Sequence, residues 1–123
     1  MATTQNQNRV RWIVRSDMDC VMRIEREAYG QYAWTRGEWR DYLACRSVVA
    51  LAAEDINDNV CGYAGYTLHK DKIALDTIAV DAKHQRQGVG ESMIRLLKRK
   101  LTHHLRSLIE LMMIETNLSA QLF

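Results

Sequence analysis

Residues 85–90 read Gln-Arg-Gln-Gly-Val-Gly, and the two glycines stand where an apolar stripe begins. Val89, Met93, Ile94, Leu96, Leu97, Leu101 and Leu105 recur at helical spacing, which predicts a helix from Gly88 onward. A helix start leaves N–H groups without carbonyl partners, and a glycine lets a ligand come close to the backbone. Those N–H groups and the helix dipole favour an anion, most often phosphate. Arg86 adds positive charge at the same place. The segment is therefore expected to bind a phosphate or diphosphate. Two commoner nucleotide loops do not fit. The Gly-x-Gly-x-x-Gly pattern fails at Met93, and Gly-Lys-Ser/Thr is absent.

The elements that must position this turn follow from the rest of the chain. At 123 residues it is read as one domain spanning 1–123. Apolar residues make up 47% and charged residues 26%, as in a globular protein. A net charge of +2 gives no global field for nucleic acid or membrane, and neither is expected as a partner. No apolar run approaches the length of a membrane span, and the first residues lack a signal-peptide layout. The cytoplasm is the expected compartment.

Cys20, Cys45 and Cys61 are odd in number and widely spaced, so small buried hydrophobes are expected rather than disulfides or a zinc site. His103-His104 lacks visible metal partners, and no metal is expected. The basic run Lys98-Arg99-Lys100, with Arg106, reads as a solvated helix face. Trp12, Trp34 and Trp39 read as packing residues, with Trp34 the best placed to line a site.

Alternation over Arg9 to Arg15 predicts a strand. Ser16 is the expected N-cap of a helix running to Tyr29, with Gly30 as its stop. Thr35 and Glu38 form a capping box for a second helix. Strands follow at Ser47–Glu54, Val60–Leu68 and Ile73–Val80, separated by polar turns. After the helix from Gly88, Ser107–Glu115 reads as a strand, parallel to Ile73–Val80 because a helix connects them. Thr116 or Asn117 would cap a last helix.

These features together resemble the GNAT acetyltransferase superfamily. Gln85 to Gly90 is similar to its Q/R-x-x-G-x-G/A acetyl-CoA motif. Asp76-Thr77-Ile78-Ala79-Val80-Asp81 resembles its splayed strand, and Asn117-Leu118-Ser119-Ala120 its later N-x-x-A motif. Thr77 to Gly90, with Glu25 to Trp34, is most similar to the ribosomal-protein-alanine N-acetyltransferases (RimI-like). Their aromatic-proline-tryptophan is here Tyr32-Ala33-Trp34. The resemblance implies an α+β (α/β) fold, a mixed central sheet flanked by helices, lacking its last two strands. It implies acetyl-CoA as cosubstrate and an amine as acceptor, first of all a protein N-terminal α-amine. A small-molecule amine acetyltransferase and a non-catalytic acetyl-CoA-binding or interaction domain are the alternatives.

The resemblance also implies the site. Ile78, Ala79 and Val80 would pair with the pantetheine arm, with Val80 N–H as oxyanion donor. Arg86, Gln87, Gly88, Val89, Gly90 and Glu91 would cradle the diphosphate, and Asn117 would lie near the thioester. Tyr29, Tyr32 and Trp34 would border the acceptor. The family's acid, a tyrosine seven residues after the asparagine, would fall at position 124, past Phe123. Its base position five residues before is Met112, which cannot take a proton. Asp76 and Glu115 are the candidate substitutes. Asp76 is expected on the same strand face as Ile78 and Val80. Glu25 and Glu27 are further acids to consider.

The chain ends inside an apolar pattern, Asn117 to Phe123, so the domain is expected to be C-terminally truncated. An uncovered Ser107–Glu115 edge would favour a homo-oligomer or exchange of elements between copies.

Overall fold

A computed structural model describes residues 9–70, 72–103 and 108–111, with side chains as far as Arg99. The elements in chain order are β1 (Arg9–Trp12), α1 (Met18–Tyr29), α2 (Arg36–Leu43), β2 (Val48–Glu54), β3 (Val60–Leu68), β4 (Lys72–Val80), α3 (Val89–His103) and β5 (Leu108–Leu111). One sheet takes the strands in the order β1-β2-β3-β4-β5. The first four pair antiparallel, and β4 pairs parallel with β5. The parallel pair is the one that α3 connects, as expected of a crossover. The fold is thus the mixed α+β sheet with flanking helices that the sequence led one to expect.

The sheet separates two cores. On one face Leu51, Ile73, Leu75, Ile78 and Val80 pack against Val89, Met93 and Leu97 of α3. On the other, Tyr63 and Ala79 pack against Val21, Met22 and Ile24 of α1 and Trp39 of α2. Ile78 and Val80 lie on one side and Ala79 on the other, the period of two that a strand imposes. Gly62 makes the α3 face possible. A Cβ there would stand 3.1 Å from both Ala79 O and Val89 Cγ1.

Local signals account for most boundaries. Gly30 ends α1 with φ +55, a conformation open to glycine at little cost. Thr35 accepts from Glu38 N–H while Glu38 accepts from Thr35 N–H, closing the capping box of α2. Ala33 adopts φ −65 and ψ 144, the angles proline would impose. The alanine therefore keeps the turn and adds an N–H bond to Gly30 O.

The first strand is shorter than its alternation suggests, and Ser16 is not the cap. Asp17 stands at the N-cap position of α1 without a side-chain cap bond; its Oδ2 instead accepts Val14 N–H across the 3-10 turn of residues 15–17 that precedes α1. Asp17 also receives Arg11 Nη1 at 2.8 Å and Nη2 at 3.0 Å, while Arg11 Nε donates to Glu54 at 2.8 Å. Arg11 holds both carboxyls below the usual carboxylate range. Acids whose folded pKa is depressed contribute stability above their unfolded pKa of about 4, and lose it as pH falls through the folded value. Arg11→Ala is therefore expected to lower Tm at pH 7 and to flatten the fall of Tm with acid. Thermal melts between pH 7 and pH 3 check this, and equal losses at both ends would refute it.

The cysteines divide. Cys61 is buried, and burial pushes its thiol up to about 12, while Cys20 and Cys45 are exposed. The expectation of three buried cysteines holds for Cys61 alone. Of the tryptophans, Trp39 is buried whereas Trp12 is 67% exposed at the end of β1. Lys98 and Arg99 lie on an exposed face of α3, as expected. Among the described residues no helix is long and apolar enough to cross a membrane, and no group of His, Cys, Asp and Glu could hold a metal ion.

Candidate active site

The site begins with an irregularity between β3 and β4. Gly65 pairs with Thr77, but Tyr66 pairs with Leu75, so Asp76 is the extra residue of a β-bulge. A bulge lets neighbouring residues point to the same side of a sheet. Leu75 and Ile78 both face α3, while Asp76 and Thr77 both face α1 and α2. This corrects the expected facing of Asp76. Strict alternation put it beside Ile78 and Val80, and the bulge turns it to the opposite face.

There Asp76 Oδ2 accepts Tyr42 O–H at 2.7 Å and Thr67 Oγ1–H at 2.6 Å. Burial, and then the Asp76 carboxylate, raise the Tyr42 pKa, so its phenol stays a donor. Tyr42 crosses the sheet over Gly65. A Cβ on Gly65 would meet Tyr42 Oη at 2.7 Å and its ring at 2.9 Å. Gly65→Ala is expected to push Tyr42 off Asp76 and to cost about 1–3 kcal/mol of stability, as overpacking does. A denaturant melt reads the loss, and an unchanged midpoint would refute it.

Trp34, Tyr42, Cys45, Ser47, Val48, Thr67 and Asp76 enclose an open cavity of about 380 Å³. Trp34 packs on Trp39 and Tyr42, each with ring centroids 4.7 Å away. A second groove of about 520 Å³, lined by Ile13, Met18, Trp39 and Leu43 with three arginines, has no carboxylate in its wall. Of these two, it is the Asp76 cavity that joins an acid to an aromatic wall.

Beneath it lies a buried polar cluster. Glu25, only 1% exposed, receives Trp34 N–H at 2.5 Å, Tyr63 O–H at 2.6 Å and Thr77 Oγ1–H at 3.1 Å. Burial raises its pKa, and the hydrogen bonds act against that rise. Tyr29 donates its O–H to Ile78 O at 2.5 Å, and burial pushes its pKa up to about 12. Glu27 instead pairs with Arg23 on the exposed side of α1. Helical periodicity flagged neither the burial of Glu25 nor its partners. The only sequence sign was an acid embedded among Val21, Met22, Ile24 and Ala28.

The other edge of β4 borders β5. Among the described residues β5 pairs only with Lys72 to Leu75. Asp81 N–H reaches Cys61 O across β3, so backbone alternation turns Ala79 toward β3 and turns Ile78 and Val80 to the β5 side. On that side, side chains take the carbonyls. Tyr29 caps Ile78 O, and Gln85 Nε2 donates to Val80 O at 3.2 Å. Of the three strand residues expected to meet the pantetheine, Ile78 and Val80 thus turn their peptide groups to the β5 side, and Ala79 turns its own to β3.

Gln85 to Gly90 follows at the end of this strand. Arg86 has φ +66 and Gly88 φ +84. Gly88 O accepts Ser92 N–H at 2.9 Å and Ser92 Oγ–H at 2.8 Å, which makes Gly88 the N-cap of α3. Val89, Gly90 and Glu91 are then the first helical residues, whose N–H groups have no intrahelical carbonyl. No atom lies within 4 Å of the place a Gly88 Cβ would take. Gln87 Nε2 bonds Lys83 O and steadies the turn. Tyr32, two residues before Trp34, is 64% exposed and does not line the Asp76 cavity. Glu115, Met112 and Asn117 lie outside the described residues, as do the expected last helix and the end of the Ser107–Glu115 strand.

A bulged β4 beside a parallel β5, followed by a glycine turn into α3, defines an acyl-CoA N-acyltransferase type of fold. The chain belongs to the Acetyltransferase (GNAT) family, whose sequence pattern matches residues 12–123. Solved structures agree on the fold. The ribosomal-protein-S18-alanine N-acetyltransferase from Escherichia coli superposes with TM-score 0.69 at 22% identity, covering 78% of this chain and 60% of that one. An aminoglycoside antibiotic 6'-N-acetyltransferase from Acinetobacter baumannii gives TM-score 0.73 at 10% identity, covering 91% and 83%. An integron cassette protein from V. cholerae gives 0.70 at 18%, covering 93% and 80%. The chain thus spans about 60% of the length of the Escherichia coli enzyme. No curated protein sequence matches it.

Proposed function

We propose that the chain moves an acetyl group from acetyl-CoA to an amine bound in the Asp76 cavity, with a protein N-terminal α-amine as the acceptor. The observation that carries this reading is the placement of Asp76. The bulge sets a carboxylate in the wall of a cavity on the opposite face of β4 from the α3 core, two residues before the edge formed by Ile78 and Val80.

The residues present suit the cosubstrate. The left-handed residues Arg86 and Gly88 flank Gln87, and with the free N–H groups of Val89 to Glu91 they form a concave, positive turn for a diphosphate. The unfilled space at Gly88 leaves that turn open. The strand edge of Ile78 and Val80 supplies peptide groups for a pantetheine amide. Bound acetyl-CoA supplies a thioester carbonyl open to attack by a neutral amine.

The chain's own residues then have separate tasks. Asp76 accepts the proton of the incoming ammonium, directly or through water. The N–H of Val80, on the β5 side of β4, is the donor assigned to the developing oxyanion. Trp34 and Tyr42 confine the acceptor so that its nitrogen approaches from the α2 side. The reading places the reaction in the cytoplasm.

An α-amine is favoured by the likeness of residues 77–90 and 25–34 to the RimI-like enzymes, and the Escherichia coli structure is of that kind. A small-molecule amine is the second reading, favoured by aminoglycoside acetyltransferases whose structures cover more of this chain. The test is thiol release from acetyl-CoA with four acceptors: a peptide with a free N-terminus, the same peptide blocked there, a polyamine and an aminoglycoside. Mass spectrometry locates the acetyl group. Acetylation of the free peptide alone supports the proposal. Acetylation of the small amines alone selects the second reading. Acetyl-CoA binding without thiol release for any acceptor would make this a non-catalytic acetyl-CoA-binding domain.

A further inference from the structure

We propose that Glu25 is the positioning residue for the acceptor, a buried carboxylate that ties the Trp34 wall of the cavity to the β4 bulge carrying Asp76. The inference rests on the acetyl-transfer reading for its functional meaning and on geometry for its structural one. Glu25 Oε2 holds the backbone N–H of Trp34, while Oε1 holds the hydroxyls of Tyr63 on β3 and Thr77 on β4. One side chain of α1 thereby joins the turn before α2 to two strands of the sheet.

Both ends of this connection reach the cavity. Trp34 lines it, and Thr77 is the immediate neighbour of Asp76, on the same side of the bulge. Among the described residues no Lys, Arg or His pairs with Glu25. Its burial is therefore compensated by hydrogen bonds alone, which penalises every arrangement that leaves one unmade. A scaffold needing only volume would be served by an apolar residue here. What the carboxylate adds is direction: two oxygens aimed at two different elements, fixing the distance between the aromatic wall and the acid.

The substitutions separate reach from charge. Glu25→Asp keeps the charge but draws the carboxylate back by one bond, roughly 1.5 Å, so it cannot serve both ends. Glu25→Gln keeps the reach. Its carbonyl can take Trp34 N–H while its amide donates to the hydroxyl oxygens of Tyr63 and Thr77.

The experiment measures the KM of the acceptor, kcat and the Kd of acetyl-CoA in wild type and both variants, with Trp34 amide hydrogen exchange by NMR. Glu25→Asp is expected to raise the amine KM about tenfold or more, with acetyl-CoA affinity within about twofold and Trp34 exchange accelerated. Glu25→Gln is expected to recover most of that loss. An unchanged amine KM in Glu25→Asp overturns the proposal, as does an equal loss of acetyl-CoA affinity. Equal damage in both variants with Trp34 still protected also overturns it, because charge and not reach would then matter.

If wild type transfers acetyl to no amine, the acetyl-transfer reading fails by itself. Calorimetric titration of the same amines into the CoA complex then replaces KM, and amines that bind wild type and Glu25→Asp alike, or bind neither, overturn the role of Glu25. If Glu25→Asp does not fold, the wild-type spectrum decides. Adding the amine must shift the Trp34 amide and indole resonances, and a spectrum without that shift counts against the proposal.

Discussion

Asp76→Asn is expected to lower kcat by about a hundredfold or more, the usual contribution of a positioned general base. The fold should survive. Asn Oδ1 can replace Asp76 Oδ2 as acceptor for Tyr42 and Thr67, so the two hydroxyl bonds at the bulge remain possible. Acetyl-CoA affinity should also hold, because Asp76 faces α2 and not the glycine turn. The decisive pattern is a large loss in kcat at unchanged Kd for acetyl-CoA and unchanged Tm. A kcat within a few-fold of wild type would remove Asp76 from the chemistry and leave it as a structural anchor for Tyr42.

Gly88→Val should damage the other half of the site. At φ +84 a branched side chain costs about 1–3 kcal/mol, although nothing in the chain would clash with its Cβ. Either the turn keeps its shape under strain, with the new side chain in the space left for a ligand, or it relaxes and the N–H groups turn away. Both routes weaken binding, so the Kd of acetyl-CoA should rise about tenfold or more. An acetylated pantetheine without the diphosphate should bind wild type and variant nearly alike, which distinguishes the cradle from the strand edge. Calorimetry with both ligands makes the comparison. Equal acetyl-CoA affinity in the two proteins would show that Gly88 does not shape the anion site.

The difference between these two positions reflects what could be read from the chain alone. Gly88 was legible because its signal is local. A glycine before an apolar stripe at helical spacing marks a helix entrance, and the structure has α3 starting at Val89. Gly30, the Thr35–Glu38 box and the strand Val60–Leu68 were legible for the same reason. The facing of Asp76 was not read. The β4 pattern does break there, since Ile73 and Leu75 are followed by Ile78 and Val80 across Asp76-Thr77, but only the pairing with β3, shifted between Gly65 and Tyr66, shows that the break is a bulge.

Glu25 and Tyr42 belong to the same class. Each sat in a helix whose periodicity was correctly read, yet their side-chain partners on the sheet are 34 to 52 residues away in sequence. Arg11 is similar, since its pairing with Glu54 requires β1 to lie against β2.

The sequence by itself determined the elements, their order, the crossover that makes β4 and β5 parallel, and the family to which the chain belongs. These follow from spacing along the chain, where side-chain period and capping chemistry act over a few residues. Only the tertiary structure decided which acid faces the cavity, which peptide groups of β4 turn to the β5 side, and which buried carboxylate ties Trp34 to the sheet. Those depend on strand register and on helices laid across the sheet. A one-residue bulge reverses the side to which a carboxylate points, and the skip from Leu75 to Ile78 gains that meaning only from the register with β3.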